Sequence, residues 1–217
     1  MPTPVKIDFV SDIVCPWCAI GLASLEQALS RLGSEVQAEL HFQPFELNPQ
    51  MPPGGQDITE HLTQKYGSTP EQQAASREMI RQRGESLGFT FRKEGRERTY
   101  NTFDAHRLLH WAESQGPGLQ HALKKALLRA YFTDGKSPAD PQVLVAAAVG
   151  AGLDGEQARE VLESDAHAAD VRKRERFYLD SGIHAVPAVI INDRHLIQGG
   201  QPPEAFEEAL RRIAAGA

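Results

Sequence analysis

Two cysteines separated by two residues, Cys15-Pro16-Trp17-Cys18, have the spacing in this chain best suited to covalent chemistry. One sulfur can attack a partner's disulfide while the other stands within reach to resolve the mixed disulfide. The pair follows an apolar run, Val5-Lys6-Ile7-Asp8-Phe9-Val10, and opens a helical pattern extending to about Leu32. A helix N-terminus presents unpaired N–H groups and a partial positive charge, which favour a thiolate at Cys15. Settings of this kind bring a cysteine pKa from about 8.5 down to roughly 3.5–7.5. Pro16 suits the first helical position, where its missing N–H costs nothing. The competing chemistry for this spacing is half of a zinc site, which needs a second pair of ligands. The sequence holds 2 Cys in all, so those ligands would have to be histidines. Redox chemistry is therefore the expectation, with no metal.

Other residues compete for a role. Asp8 interrupts an apolar strand. It reads either as a wet-face carboxylate or as a half-buried base that takes the proton from Cys18. His106 and His110 are four apart in a helical pattern, as in a metal pair. Position 107 is Arg, not the Glu of a zinc-protease helix, and no third ligand is evident. One solvated and one interior histidine is the expectation. Lys124-Lys125 and Arg172-Lys173-Arg174 read as solvated helix faces.

The elements that must position the dithiol follow from pattern. Val5 to Val10 reads as a buried strand. Leu22, Leu25, Leu29 and Leu32 keep helical spacing, and Gly33 ends that helix. Val36, Ala38, Leu40 and Phe42 alternate with polar residues, as in a half-buried strand. Strand, helix, strand over this length is a parallel βαβ unit. A Pro- and Gly-rich stretch from Pro44 to Gly55 forms a stiff linker. From about Asp57 to Gly182 nearly everything reads helical, with starts at Thr69-Pro70, Asn101-Thr102, Leu119, Asp140-Pro141, Asp154 and His167. Phe89-Thr90-Phe91 reads as a short extended piece and Arg92 to Arg98 as a charged loop. Val186 to Ile191 and His195 to Gln198 then flank the turn residues Asn192-Asp193-Arg194 as a hairpin. Pro203 to Ala215 closes the chain as an amphipathic helix with Phe206, Leu210 and Ile213 inward. The fold expected is α/β, a thioredoxin fold (β-α-β … β-β-α) with a large all-helical insertion. Its thioredoxin-like part is residues 1–56 and 183–217, and the insertion is 57–182.

The 217 residues suffice for one domain with a sizeable insertion, and their net charge of −6 argues against nucleic-acid or anionic-membrane partners. No apolar stretch is long enough to span a bilayer. Met1-Pro2-Thr3-Pro4 shows no basic, apolar leader, so a cytoplasmic location is expected. There a cysteine pair is catalytic more often than a structural staple.

Three further segments carry a family resemblance: Ser11-Asp12 before the cysteines, Asn101-Thr102-Phe103-Asp104-Ala105-His106-Arg107-Leu108, and Ile197-Gln198-Gly199-Gly200-Gln201. With Val186-Pro187 before a late strand, the whole chain resembles the DsbA-type thioredoxin-fold oxidoreductases, and more narrowly their FrnE-like branch. The resemblance implies that Cys15 is the exposed nucleophilic thiol and Cys18 the buried resolving one. It implies a cis peptide at Pro187, which turns the backbone of Val186 outward so that a substrate strand pairs beside the sulfur. Pro16, Trp17 and Val186 would then contact the substrate. Asn101, Thr102 and His106 would line the cleft above Cys15, because the insertion caps the site in this fold. Kappa-class glutathione transferases and 2-hydroxychromene-2-carboxylate isomerases are similar in layout, but carry Ser where Cys15 stands and use bound glutathione. A glutathione-dependent isomerase or transferase acting on small aromatics is thus the alternative. The two thiols favour protein thiol and disulfide substrates, with a Cys15–Cys18 disulfide as the redox group, no other cofactor, and glutathione as a conceivable co-substrate. Absence of further cysteines excludes a relay to a second disulfide within the chain. A monomer or a homodimer is compatible with the sequence.

Overall fold

The computed structural model describes residues 4–216. Met1, Pro2 and Thr3, read above as free of a leader, lie outside the described residues, as does Ala217. The chain opens with β1 (Pro4–Ser11), α1 (Pro16–Leu32) and β2 (Gln37–Pro44). The insertion follows as β3 (Gln56–Asp57), α2 (Ile58–Tyr66), α3 (Pro70–Ser86), β4 (Arg98–Thr99), α4 (Phe103–Glu113), α5 (Leu119–Phe132), α6 (Pro141–Gly150), α7 (Gly155–Glu163) and α8 (Ala168–Asp180). The chain closes with β5 (Ala188–Ile191), β6 (His195–Gln198) and α9 (Pro203–Ala214).

Apolar alternation in β1 builds the two faces of the sheet. Ile7 and Phe9 pack with Leu22, Leu25, Phe206 and Leu210 under α1 and α9. Val10 points to the other face, with Tyr178 of α8 and Ala188. The strand order is β2-β1-β5-β6. β1 and β2 run parallel, Pro4 opposite Gln37 through Ser11 opposite Pro44, as a βαβ unit requires. β5 is antiparallel to β1 and forms a hairpin with β6 through Asn192 and Asp193, both at positive φ. This is the thioredoxin fold with its helical insertion.

Two readings of the insertion change. Phe89, Thr90 and Phe91 form no strand; Phe89 and Phe91 stack 4.8 Å apart against Phe132, so aromatic packing orders them. The charged loop instead ends in strand, because Arg98–Thr99 pairs with Gln56–Asp57. Thr69 begins α3 with a full capping box to Gln72.

The insertion is not a separate body by its packing. Leu128, Tyr131 and Phe132 of α5 share one core with the sheet and both cysteines, while Ile13 sits in the core of α4 to α7. Gln120 of α5 ties the two parts by hydrogen bonds. Its side chain accepts from the Phe42 N–H (2.9 Å) and donates to the Phe42 and Leu109 carbonyls (3.1 Å each).

Candidate active site

β1 ends at Ser11, and the next four residues turn into α1. Cys15 is the N-cap of α1, in an extended conformation, with Pro16 at the first helical position. The Cys15 carbonyl accepts from the N–H groups of Cys18 (3.1 Å) and Ala19 (3.4 Å), which seats Cys18 one turn in. Both thiols are free. The two differ in acidity. The Cys18 thiol, donating to Cys15, is the largest influence holding Cys15 below the ordinary cysteine range, with the N–H groups of Cys18 and Trp17 adding to it against burial. Burial first, and the neighbouring Cys15 second, push Cys18 well above that range. The two thiols are thereby distinguished by their surroundings.

Beneath the helix mouth lies a buried polar cluster. Asp12 is 1% exposed; its Oδ2 accepts from the Leu47 N–H at 2.7 Å, and its Oδ1 lies 3.4 Å from His106 Nε2. Burial alone would raise the Asp12 carboxyl. His106, the Leu47 N–H and the Thr102 hydroxyl outweigh burial and hold it below the usual carboxylate range. Lys124 of α5 is also wholly buried here, with Asp12, Cys18 and Cys15 as the charges it feels.

The third wall comes from the other half of the fold. The Val186–Pro187 peptide is cis, and the Cys15 thiol points at the Val186 carbonyl, 3.7 Å away. Gly21 lets Pro187 close on α1: a Cβ there would stand 3.0 Å from the proline ring. Trp17 is partly buried, with the Arg83 guanidinium 5.6 Å from its ring and donating to the Gly200 carbonyl at 2.7 Å. Trp17 is thus both beside the dithiol and packed on the insertion.

Several sequence expectations fall differently. Cys15 is not exposed: 4% of its surface is accessible, and Arg96 of the insertion donates to the carbonyl of the preceding Val14 (2.9 Å). Asp8 is buried but on the sheet face away from α1. It is bound to Lys6 (2.9 Å) and the Gln43 amide (2.6 Å), so it is not placed to serve Cys18. Thr102 and His106 are each 2% exposed and hold Asp12 from below instead of lining an open cleft. Asn101 accepts from the Phe103 N–H at the start of α4, and Thr102, the N-cap, makes no side-chain cap bond. His106 is interior, whereas His110 is half-buried beside His167 and Asp170, a third potential ligand that the sequence does not reveal. Lys124 is not on a solvated face, and Arg172 is tied to Glu46 and Glu175 and stacked on Phe103. One signal could have found Lys124. Gln120, Leu123, Lys124, Leu127, Leu128 and Tyr131 form the buried stripe of α5, and Lys124 falls in that stripe.

Two hollows lie near the dithiol. The larger, about 660 Å³, runs along the flank of α1, α5 and α6, and neither cysteine lines it. The smaller, about 90 Å³, adjoins Pro16 and is lined by Arg77, Arg81, Arg92 and Arg96.

The arrangement is that of a thioredoxin-class oxidoreductase carrying a helical insertion. The chain belongs to the family of the DSBA-like thioredoxin domain, which it matches over residues 6–211. A crystal structure of a probable DsbA oxidoreductase from Streptomyces coelicolor is 36% identical, with a TM-score of 0.88 over 98% of this chain and 90% of that one. The protein YwbO of Bacillus subtilis (strain 168) is 28% identical over 208 residues, covering 95% of this chain and 96% of its own. DsbM from Pseudomonas aeruginosa, described as a cytosolic disulfide reductase and solved with GSH, shares the fold at 18% identity (TM-score 0.65, 97% of this chain and 99% of that one). No helix of the described residues is long and apolar enough to cross a membrane.

Proposed function

We propose that this chain exchanges disulfides with protein substrates through Cys15 and Cys18. The observation that carries the reading is the pair of free thiols at the N-terminus of α1, with Cys15 Sγ 3.7 Å from the Val186 carbonyl of the cis Val186–Pro187 peptide. In the reducing or isomerising direction the Cys15 thiolate attacks a substrate disulfide and expels one substrate thiolate. Cys18 then attacks Cys15, the mixed disulfide breaks, and the second substrate sulfur leaves as a thiol. In the oxidising direction a substrate thiolate opens the Cys15–Cys18 disulfide at Cys15, and the substrate's second thiol releases it. Two protein sulfurs and two substrate sulfurs balance either direction, so no metal or organic cofactor is assigned. Pro16, Trp17, Val186 and Pro187 border the reacting sulfur. Cytoplasm remains the proposed compartment, with the cytosolic DsbM of the same fold as its parallel. The test is Cys18→Ser incubated with a disulfide-bonded protein such as insulin. A stable Cys15-linked mixed disulfide accumulates and turnover stops; turnover at the wild-type rate would sink the reading.

A second reading concerns the co-substrate. The cavity beside Pro16 has four arginines in its lining; Arg96 donates to the Val14 carbonyl, Arg81 and Arg92 are ion-paired, and Arg77 forms no ion pair among the described residues. Such a site suits the carboxylate of a small anionic thiol of the glutathione kind. Arg77→Ala then raises KM for glutathione disulfide by about tenfold, the worth of one charge-assisted contact, with kcat held. An unchanged KM would remove glutathione from the account. The two thiols of a resolving pair favour disulfide exchange over the glutathione-dependent isomerase alternative, which the same fold also accommodates.

A further inference from the structure

Lys124 is anomalous among the described residues. It is 0% exposed, and its Nζ has no hydrogen-bond partner among the described residues. A charge buried without an acceptor is strongly disfavoured, and an apolar side chain of similar volume would fill the place at less cost. The charges near enough to act on the amine are those of the active site. Its nearest aromatic neighbour is Phe42 of β2, with the ring centroid 5.9 Å away, and Phe42 shares a core with Cys15 and Cys18. The charged and titratable groups around it are Cys18 on α1, Asp12 in the loop before α1, and Cys15 at the helix mouth. From α4, His106 stands behind Asp12, 3.4 Å from its Oδ1.

We propose that Lys124 is the positioning residue for the resolving step, its ammonium stabilising the thiolate of Cys18 as that sulfur attacks the mixed disulfide on Cys15. The inference rests on the disulfide-exchange reading above. The Cys18 sulfur bonds to Cys15, the bond from Cys15 to the substrate sulfur breaks, and the proton given up by Cys18 leaves on the expelled substrate thiol. In the reverse direction the same ammonium stabilises Cys18 as it departs. The acidities agree with this role. Burial and the Cys15 neighbour raise Cys18, and Lys124 is the side-chain charge that opposes them. Burial brings Lys124 itself down to about 8, against the pull of Cys18, Asp12 and Cys15. Asp8, on the far face of the sheet, does not compete for the role.

The test prepares Cys15 as a mixed disulfide with glutathione and follows glutathione release by Cys18 from pH 6 to about 10, the span across which thiols ionise. Wild type is compared with Lys124→Met, which keeps length and loses charge, and with Lys124→Leu in case Met disturbs the fold. Release slows by about tenfold at neutral pH for each pKa unit that Cys18 gains, and the rising limb moves to higher pH. Thermal stability holds or rises, because a buried unpaired charge is gone. Release with an unshifted limb in the folded variants overturns the role of Lys124 and leaves the exchange reading standing. Failure of wild type to release glutathione at all removes the exchange reading, and this inference with it.

Discussion

Asp12 shows at the scale of one residue how the site couples to stability. Its carboxyl titrates lower in the folded protein than in the unfolded chain, despite burial, because His106, Leu47 and Thr102 favour the charged form. A depressed carboxylate contributes stability that is present above its unfolded pKa, about 3.9, and is lost as the pH falls through the folded value. Acid titration followed by circular dichroism should therefore show wild-type stability falling below about pH 4, with Asp12→Asn giving a shallower decline. At neutral pH the variant is weaker by about 1–3 kcal/mol, since the Leu47 N–H loses a charged acceptor and His106 the carboxylate that faces it. Equal acid slopes in the two proteins would contradict this assignment. The sequence displays the dithiol itself, because cysteines two apart before a helix have few uses. The polar cluster beneath it is not displayed. Asp12, Thr102, His106 and Lys124 come from three separate segments, and only the tertiary fold brings them to one place. Asp8, the more visible strand carboxylate, points the other way by the two-residue alternation of β1.

Among the elements, α3 illustrates why a helical glycine is retained. Gly84 is buried near the end of α3, and a Cβ there would meet the Phe91 ring at 2.5 Å and the Phe89 carbonyl at 2.7 Å. Gly84→Ala should gain roughly 1 kcal/mol of helix propensity. It should lose about 1–3 kcal/mol by overpacking the aromatic cluster on Phe132. Net destabilisation in urea is expected, and a more stable variant would show that Phe91 yields freely. Three helix starts were legible because caps are local: Thr69, Asp140 and Asp154 each accept the backbone bond their position predicts. The two-residue ladder between Gln56–Asp57 and Arg98–Thr99 was not legible. Its pairing joins segments some forty residues apart, and no apolar alternation marks either one.

At the scale of the whole molecule, Gln120 decides whether the insertion and the sheet behave as one body. Removing its amide leaves the Phe42 N–H and carbonyl buried without those partners. Gln120→Leu should cost about 2–4 kcal/mol, because two or three buried backbone groups lose bonds at once. Wild type should melt in a single calorimetric transition; a resolved two-step melt would mean the shared core does not couple the halves. The thioredoxin order was readable from strand and helix periods on either side of the insertion. The docking was not, since a glutamine in an amphipathic helix gives no sign of which backbone it will bind.

That glutamine has a further consequence for solubility. β2 and β6 are the two outer strands of the sheet, and outer strands invite neighbouring chains to stack on them. At Phe42 the invitation is already answered from within, by an amide that imitates a strand of one residue. The opposite border is only four residues long. At Phe42, then, an added strand would find the backbone already bonded, without a charged gatekeeper there.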